Sequence, residues 1–94
     1  MDVRFTWSEA KREANLAKHG FDFADAVAIF TGRTLTFEDT RFCYGERRYI
    51  TLGFLHHLHL VSIAHTENAE EIRIISFRKA TRREAQLFFE EVAY

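Results

Sequence analysis

The amino-acid sequence predicts an α+β domain with two N-terminal helices, an antiparallel sheet of about four strands and a C-terminal helix. Apolar residues recur at three- and four-residue spacing as far as Gly32, at two-residue spacing from Leu35 to Arg78, and at helical spacing again from Ala85. Helices and strands segregated in this way pack as a sheet with helices laid on it. The 94 residues hold material for one core, so residues 1–94 are read as a single domain, and ten Phe within a 47% hydrophobic composition supply its interior.

Proline is absent, so element ends are marked by glycines and capping residues. Ser8 before Glu9 reads as an N-cap and His19-Gly20 as a stop. Between them Trp7, Ala10, Ala14 and Ala17 form a thin apolar face, expected to lie close against a neighbour. Asp22 caps a second helix, in which Phe23, Ala26, Val27 and Phe30 fall at i, i+3, i+4 and i+7 before Gly32. Four runs of period two follow: Thr34 to Glu38, Arg48 to Phe54, Leu58 to Thr66 and Glu71 to Arg78. His56-His57 and the stretch from Glu67 to Glu70 are the turns of the last two hairpins. Thr81-Arg82-Arg83-Glu84 is a capping box that opens the closing helix, with Ala85, Phe88, Phe89 and Val92 as its apolar stripe. Val3 to Thr6 is read as an additional edge strand.

Thirteen basic against fourteen acidic residues give a formal net charge of −1, which excludes the strongly electropositive body of a bulk nucleic-acid binder. The window from Arg73 to Arg83 departs from that balance: it holds Arg73, Arg78, Lys79, Arg82 and Arg83 and no acid. The longest apolar run, Ala26 to Phe30, is far too short to cross a bilayer, and Asp2 and Arg4 do not suit a signal peptide. A cytoplasmic protein without membrane contact is expected. The single Cys43 permits no internal disulfide and no paired-cysteine zinc framework.

Several spaced strings carry a resemblance over nearly the whole chain: Phe5-Thr6-Trp7, then Lys11, Asn15, Lys18-His19-Gly20 and Phe23, then Gly45-Glu46-Arg47 and Gly53, and finally Ile72 to Thr81. In this order they resemble the BrnT family of bacterial toxins. The resemblance implies an RelE-like fold and the toxin half of a type II toxin–antitoxin pair. It also implies a ribonuclease that blocks translation and a ribbon-helix-helix antitoxin that neutralises it, with operator DNA reached only indirectly through the antitoxin.

Metal-independent RNA cleavage needs a base for the 2′-hydroxyl proton, an acid for the departing 5′-oxygen and a cation against the phosphorane charge. His19 and His65 are candidates for acid or base because imidazole titrates near neutrality, and Glu46 is the carboxylate alternative. Arg73 and Arg78 are the catalytic cations, able to fork onto phosphate oxygens; Lys18, Arg47, Lys79, Arg82 and Arg83 are expected to contact RNA. Each has a structural counterpart. His19 sits at a helix end where the dipole favours it, His65 can be a packed strand residue, and Glu46 with Arg47 can be a solvated pair. Arg82 and Arg83 stand in a first helical turn, an unfavourable place for cations unless an anion is near.

Hairpin register decides which of these cooperate. Pairing Thr66 with Glu70 puts His65, Arg73 and Phe77 on one face, whereas pairing Thr66 with Glu71 puts His65 with Ile72 and Arg78. Either way His65 is expected to gain an arginine. His57 and His59 would share a strand face, but no cysteine or carboxylate near them completes a tetrahedral set, so neither metal nor cofactor is expected. Cys43 has no base adjacent in sequence and reads as a loop residue, not a nucleophile. The function expected is a ribonuclease toxin. The alternative is a non-catalytic homologue that binds antitoxin as co-repressor or binds RNA, and convergence of His19, Glu46 and His65 with the arginines on one surface separates the two.

Overall fold

A computed structural model describes residues 3–41 and 43–92; Asp2, part of the N-terminal reading, lies outside them. The elements follow in the order β1 (Arg4–Thr6), α1 (Glu9–His19), α2 (Phe23–Ala26), a 3₁₀ segment (Val27–Thr31), β2 (Thr34–Glu38), β3 (Tyr49–Leu55), β4 (His59–Glu67), β5 (Glu71–Lys79) and α3 (Arg82–Glu91). The five strands form one sheet in the order β1-β5-β4-β3-β2. Strands β2 to β5 are an antiparallel meander, and the expected edge strand joins them as β1, parallel to β5. The sheet is therefore mixed and one strand larger than the helix-strand pattern alone required.

Two cores lie on its two faces. On one, α2 and the 3₁₀ segment bury Phe23, Ala26 and Ile29 against Leu55, Val61, Ile63, Ile74 and Phe77. On the other, Phe88 of α3 covers Ile50 and Leu52. The second predicted helix is cut short, turning 3₁₀ after Ala26, so that Ile29 is buried while Val27 and Phe30 are only partly covered. The sheet accepts this segment closely because Gly53 lies beneath it: a Cβ there would stand 2.7 Å from Ile29 Cγ2. The α3 stripe is narrower than predicted, with Phe88 inside and Phe89 46% exposed.

The capping residues act as read. Ser8 accepts from the Lys11 N–H, Asp22 from the Ala24 N–H, and Thr81 and Glu84 close a full capping box; Gly20 takes the left-handed conformation, φ 78°, that ends α1. The face of α1 is a correction. Ala10, Ala14 and Ala17 are exposed, and the helix docks through polar groups instead. Asn15, buried, donates to Phe77 O at 2.8 Å and to Phe21 O at 3.1 Å, and accepts from the Phe77 N–H at 3.0 Å. Since β1 reaches no further along β5 than Arg73, this amide does for Phe77 what a neighbouring strand would do. Leaving buried backbone groups unpaired costs about 1–3 kcal/mol each, more than three alanine methyls return on burial. Arg12 adds a two-pronged pair to Asp22, 2.8 Å on each arm, which holds α1 to the start of α2 and pulls the Asp22 carboxyl down to about 2.

Both registers considered for the last hairpin are also corrected. Glu67 pairs with Ile72 and Thr66 with Arg73, around a turn in which Asn68 Oδ1 accepts from the Glu70 and Glu71 N–H groups. Past that point a bulge shifts the register: His65 faces Ile74 while Ala64 faces Ser76, leaving Ile75 extra. His65 thus shares its face with Ile74 and Phe77, and with no arginine. Arg73, Ser76 and Arg78 all turn to the α3 side.

The docking of α1 yields a stability prediction. Asn15→Ala should lower unfolding free energy by about 2–4 kcal/mol, the sum expected for two buried backbone groups losing their partner. Urea denaturation measures it; a loss under 1 kcal/mol would show that α1 is held by something else.

Candidate active site on the helix α3 face of the sheet

The bulge brings the predicted arginines to one face but spreads them along it. Arg73 donates through Nη2 to both oxygens of Glu46, at 2.8 and 3.1 Å, and Arg48 Nε reaches Glu46 Oε2 at 3.3 Å. One carboxylate therefore sits between two guanidinium groups at the end of β5 and the start of β3. Hydrogen bonding from Arg73, foremost, and from Arg48 holds the Glu46 carboxyl below the ordinary carboxylate range despite some burial, so it is ionised at neutral pH. The group stays accessible, with 36% of the Glu46 side chain and 44% of Arg73 open to solvent.

Arg78 lies five residues further along β5, about 15 Å at the usual strand rise. It makes its own pair, Nη1 and Nη2 to the two Glu84 oxygens at 2.8 and 3.1 Å, and Ser62 Oγ approaches the same carboxylate at 3.4 Å. Burial raises the Glu84 carboxyl, but Arg78 and the Thr81 N–H outweigh it and the net shift is downward. From this pair a groove of about 730 Å³ runs between α3 and the end of β2, floored by Phe37, Ile50 and Leu87 and flanked by Arg41 and Arg83. Its Glu38–Arg41 wall is shared with the loop that carries Glu46 and Arg48. The face as a whole is a shallow, mixed-charge trough with an arginine-carboxylate cluster near each end.

His65 is not part of it. Its side chain is fully buried on the opposite face, stacked on Tyr49 with centroids 6.0 Å apart and edge-on to Phe30 at 5.2 Å. Nε2 lies 2.7 Å from Thr51 Oγ1, which lies 2.7 Å from Thr36 Oγ1, so a polar ladder runs from the buried ring across β3 to the exposed edge strand β2. Burial pushes the imidazole below its ordinary value, against the weaker pull of the Thr66 carbonyl and Glu67. A neutral, closed-in ring cannot exchange protons with a phosphodiester at the surface, which corrects the acid-base assignment of His65; the packed-residue reading holds.

His19 is also apart. It follows by four residues the Asn15 that is fastened to Phe77, and Phe21, just beyond it, stacks on Phe77 at 4.9 Å and meets His59 at 6.3 Å. That places it toward the β3–β4 hairpin and apart from Glu46, so the expected convergence of His19, Glu46 and His65 with the arginines does not occur: of the three, Glu46 alone meets them. His56 and His57 form the tip of that hairpin with φ of 54° and 60°, so His57 is a turn residue and does not share a strand face with His59. Among the described residues no three His, Cys, Asp or Glu side chains are grouped to hold a metal ion, and no helix is long and apolar enough to cross a membrane.

The basic window is divided by the sheet. Lys79 pairs with Val61 and turns to the α2 side, opposite to Arg78. Arg82 and Arg83 are exposed in the first turn of α3, and Arg47 is exposed beside Glu46; like Lys18 and Lys79 they make no ion pair among the described residues. Three residues of the trough were missed in the sequence: Arg48, Asp39 and Glu84. Arg48 was readable only as a strand residue, and Glu84 only as a capping-box acid.

The described residues thus form a five-stranded sheet with an exposed carboxylate held by two arginines on its α3 face. Comparison with known proteins supplies the class. The model of the family described as the ribonuclease toxin, BrnT, of type II toxin-antitoxin systems matches residues 7–84. The chain belongs to that family. The crystal structure of the Brucella abortus ribonuclease toxin BrnT superposes with a TM-score of 0.71 at 28% identity, covering 86% of this chain and 100% of that one. No curated protein matches the sequence.

The burial of His65 sets a pH dependence. Its folded-state value lies below the ordinary 6.5 of an unfolded chain, so between the two the unfolded state binds a proton that the folded state does not. Stability should be fully present above about pH 6.5 and fall as pH drops through that window, before the carboxylates titrate. Urea midpoints of wild type and His65→Gln between pH 7.5 and 5 check this; parallel curves would contradict it.

Proposed function

We propose that the chain is an endoribonuclease that cuts RNA without a metal ion, with Glu46 as general base and Arg73 and Arg48 as the phosphate clamp. The observation that carries the reading is the Glu46–Arg73–Arg48 cluster: an ionised, solvent-reachable carboxylate hydrogen-bonded to two cations of the kind that a phosphorane needs. Glu46 takes the 2′-hydroxyl proton, the 2′-oxygen forms its bond to phosphorus, and the bond to the 5′-oxygen breaks. The products are a 2′,3′-cyclic phosphate and a 5′-hydroxyl end. Charge on the phosphoryl oxygens is met by the guanidinium forks, Arg73 swinging from Glu46 onto the phosphate as the carboxylate accepts its proton. No imidazole of the described residues faces the cluster, so the leaving oxygen draws its proton from water.

Arg78, Arg83 and the Arg82 beside it, with Arg47 at the other end, supply phosphate contacts along the trough, which orients a single strand across the scissile bond. Lys18, His19 and Lys79 lie on the other side of the sheet and are not assigned to RNA in this reading. The partner that neutralises the toxin is proposed to be a ribbon-helix-helix antitoxin, through which alone operator DNA is reached. A segment of it laid over the trough would exclude RNA phosphates, and its binding should weaken with salt less steeply than that of RNA.

Induction of the chain alone should arrest growth and translation with visible RNA cleavage. In vitro, Arg73→Ala should lower kcat by about 10²–10³-fold, as for loss of one oxyanion donor, and Glu46→Gln by a similar factor, with circular dichroism unchanged. Activity should survive EDTA. Growth arrest with intact RNA would remove the cleavage mechanism, and wild-type cleavage by both variants would remove the site.

A further inference from the structure

Glu46 and Arg48 are carried by the irregular stretch between β2 and β3, yet catalysis on a loop requires that its side chains be held within a fraction of an ångström. The hydrogen bonds around Asp39 address this. Asp39 opens the loop, and its backbone N–H donates to Arg48 O at 2.8 Å, joining the loop's two ends. Its side chain, only 4% exposed, accepts from Arg41 Nε and Nη2 at 2.8 and 3.0 Å, from the Arg41 N–H at 3.2 Å and from the Tyr44 hydroxyl at 2.9 Å. The Tyr44 ring so anchored lies under the Arg48 guanidinium, 4.1 Å from centroid to Cζ. Arg48 in turn donates to Glu46.

We infer that Asp39 is a positioning residue for the cleavage site, acting through Tyr44 on Arg48 and thereby on Glu46. The inference rests on the assignment of Glu46 and its arginines to catalysis. The chain is continuous: a buried carboxylate fixes a phenol, the phenol's ring fixes a cation, and the cation shares Oε2 of the base with Arg73, which also reaches Oε1. Hydrogen bonding from Arg41, ahead of the opposing effect of burial, keeps the Asp39 carboxyl far below the carboxylate range, so the anchor is charged at neutral pH. Tyr44 is raised, first by burial and then by Asp39, and remains a neutral donor. Without the anchor, Arg48 and Glu46 keep their chemistry but lose their fixed separation, which lowers turnover more than RNA affinity, because phosphate contacts elsewhere on the trough persist.

The test is single-turnover and steady-state cleavage of one RNA oligonucleotide by Asp39→Ala, Tyr44→Leu, Tyr44→Phe and the double variant Asp39→Ala/Tyr44→Leu, with Glu46→Gln alongside. Asp39→Ala and Tyr44→Leu should each lower kcat by about 10- to 100-fold with KM within about threefold. Tyr44→Phe, which keeps the ring under Arg48, should retain more activity than Tyr44→Leu, and the double variant should be no worse than the poorer single one because both act on one path. If Asp39→Ala does not fold, Tyr44→Phe decides the matter, because it removes the hydroxyl that Asp39 holds and keeps the ring: wild-type kcat in that variant would overturn the role of Asp39. Near wild-type kcat in Asp39→Ala and Tyr44→Leu beside an inactive Glu46→Gln would overturn the positioning role and leave the site standing. So would a raised KM at unchanged kcat. A fully active Glu46→Gln would overturn both.

Discussion

One extra residue in β5 organises the α3 face of the sheet. A regular strand would send Arg73 and Arg78, five apart, to opposite sides of the sheet. The bulge that passes over Ile75 lets Ile74 and Phe77 both enter the α2-side core while Arg73, Ser76 and Arg78 all face α3. Both sides benefit: the core keeps its two large apolar residues, and the trough keeps both arginines. Bulges commonly re-aim side chains beside functional sites; His65, on the regular strand β4, faces inward with Val61 and Ile63 by simple alternation.

The rest of the architecture supports that strand. β5 has β4 along its full length but β1 for only three residues, from Glu71 to Arg73. Beyond them Asn15 supplies the missing partner from a helix, and Arg12 with Asp22 fixes that helix against the next. Because these contacts decide how α1 is rotated, its alanines point to solvent. On the opposite edge β2 is sewn to β3 by the Thr36–Thr51 hydroxyl contact, which continues to His65, and the loop that follows β2 carries Asp39 and Glu46. The polar interior of the sheet and the polar surface of the trough are thus held by separate networks, one of neutral hydroxyls and imidazole, the other of paired charges.

Much of the fold was legible in the sequence because caps and periodicity are local. Ser8, Gly20, Asp22 and the Thr81–Glu84 box end helices where they were read, and all four meander strands lie where period two placed them. What local pattern misled on was which face a polar residue serves. Asn15 reads as a solvated helix residue until its partner, 62 positions away, is known. The spacing of β5 concealed its bulge, since Ile74-Ile75 supplies an apolar residue to either face. Of the proposed site, Glu46, Arg73 and Arg78 were identifiable by residue type, whereas Arg48 and Asp39 depend on a loop conformation that no periodicity encodes. His65 illustrates the converse: the right residue type for acid-base chemistry, set by burial to a structural task.

In the proposed function RNA lies on the α3 face of the sheet, over Glu46, Arg48 and Arg73. The most direct measurement is backbone amide chemical-shift mapping of the protein with a non-cleavable, 2′-methoxy RNA oligonucleotide. The account predicts perturbations along Glu46 to Arg48, at Thr66 and Arg73, and through Ser76 and Arg78 to the first turn of α3. Shifts concentrated instead on α1, the 3₁₀ segment and His65, with the Glu46 loop unmoved, would contradict it.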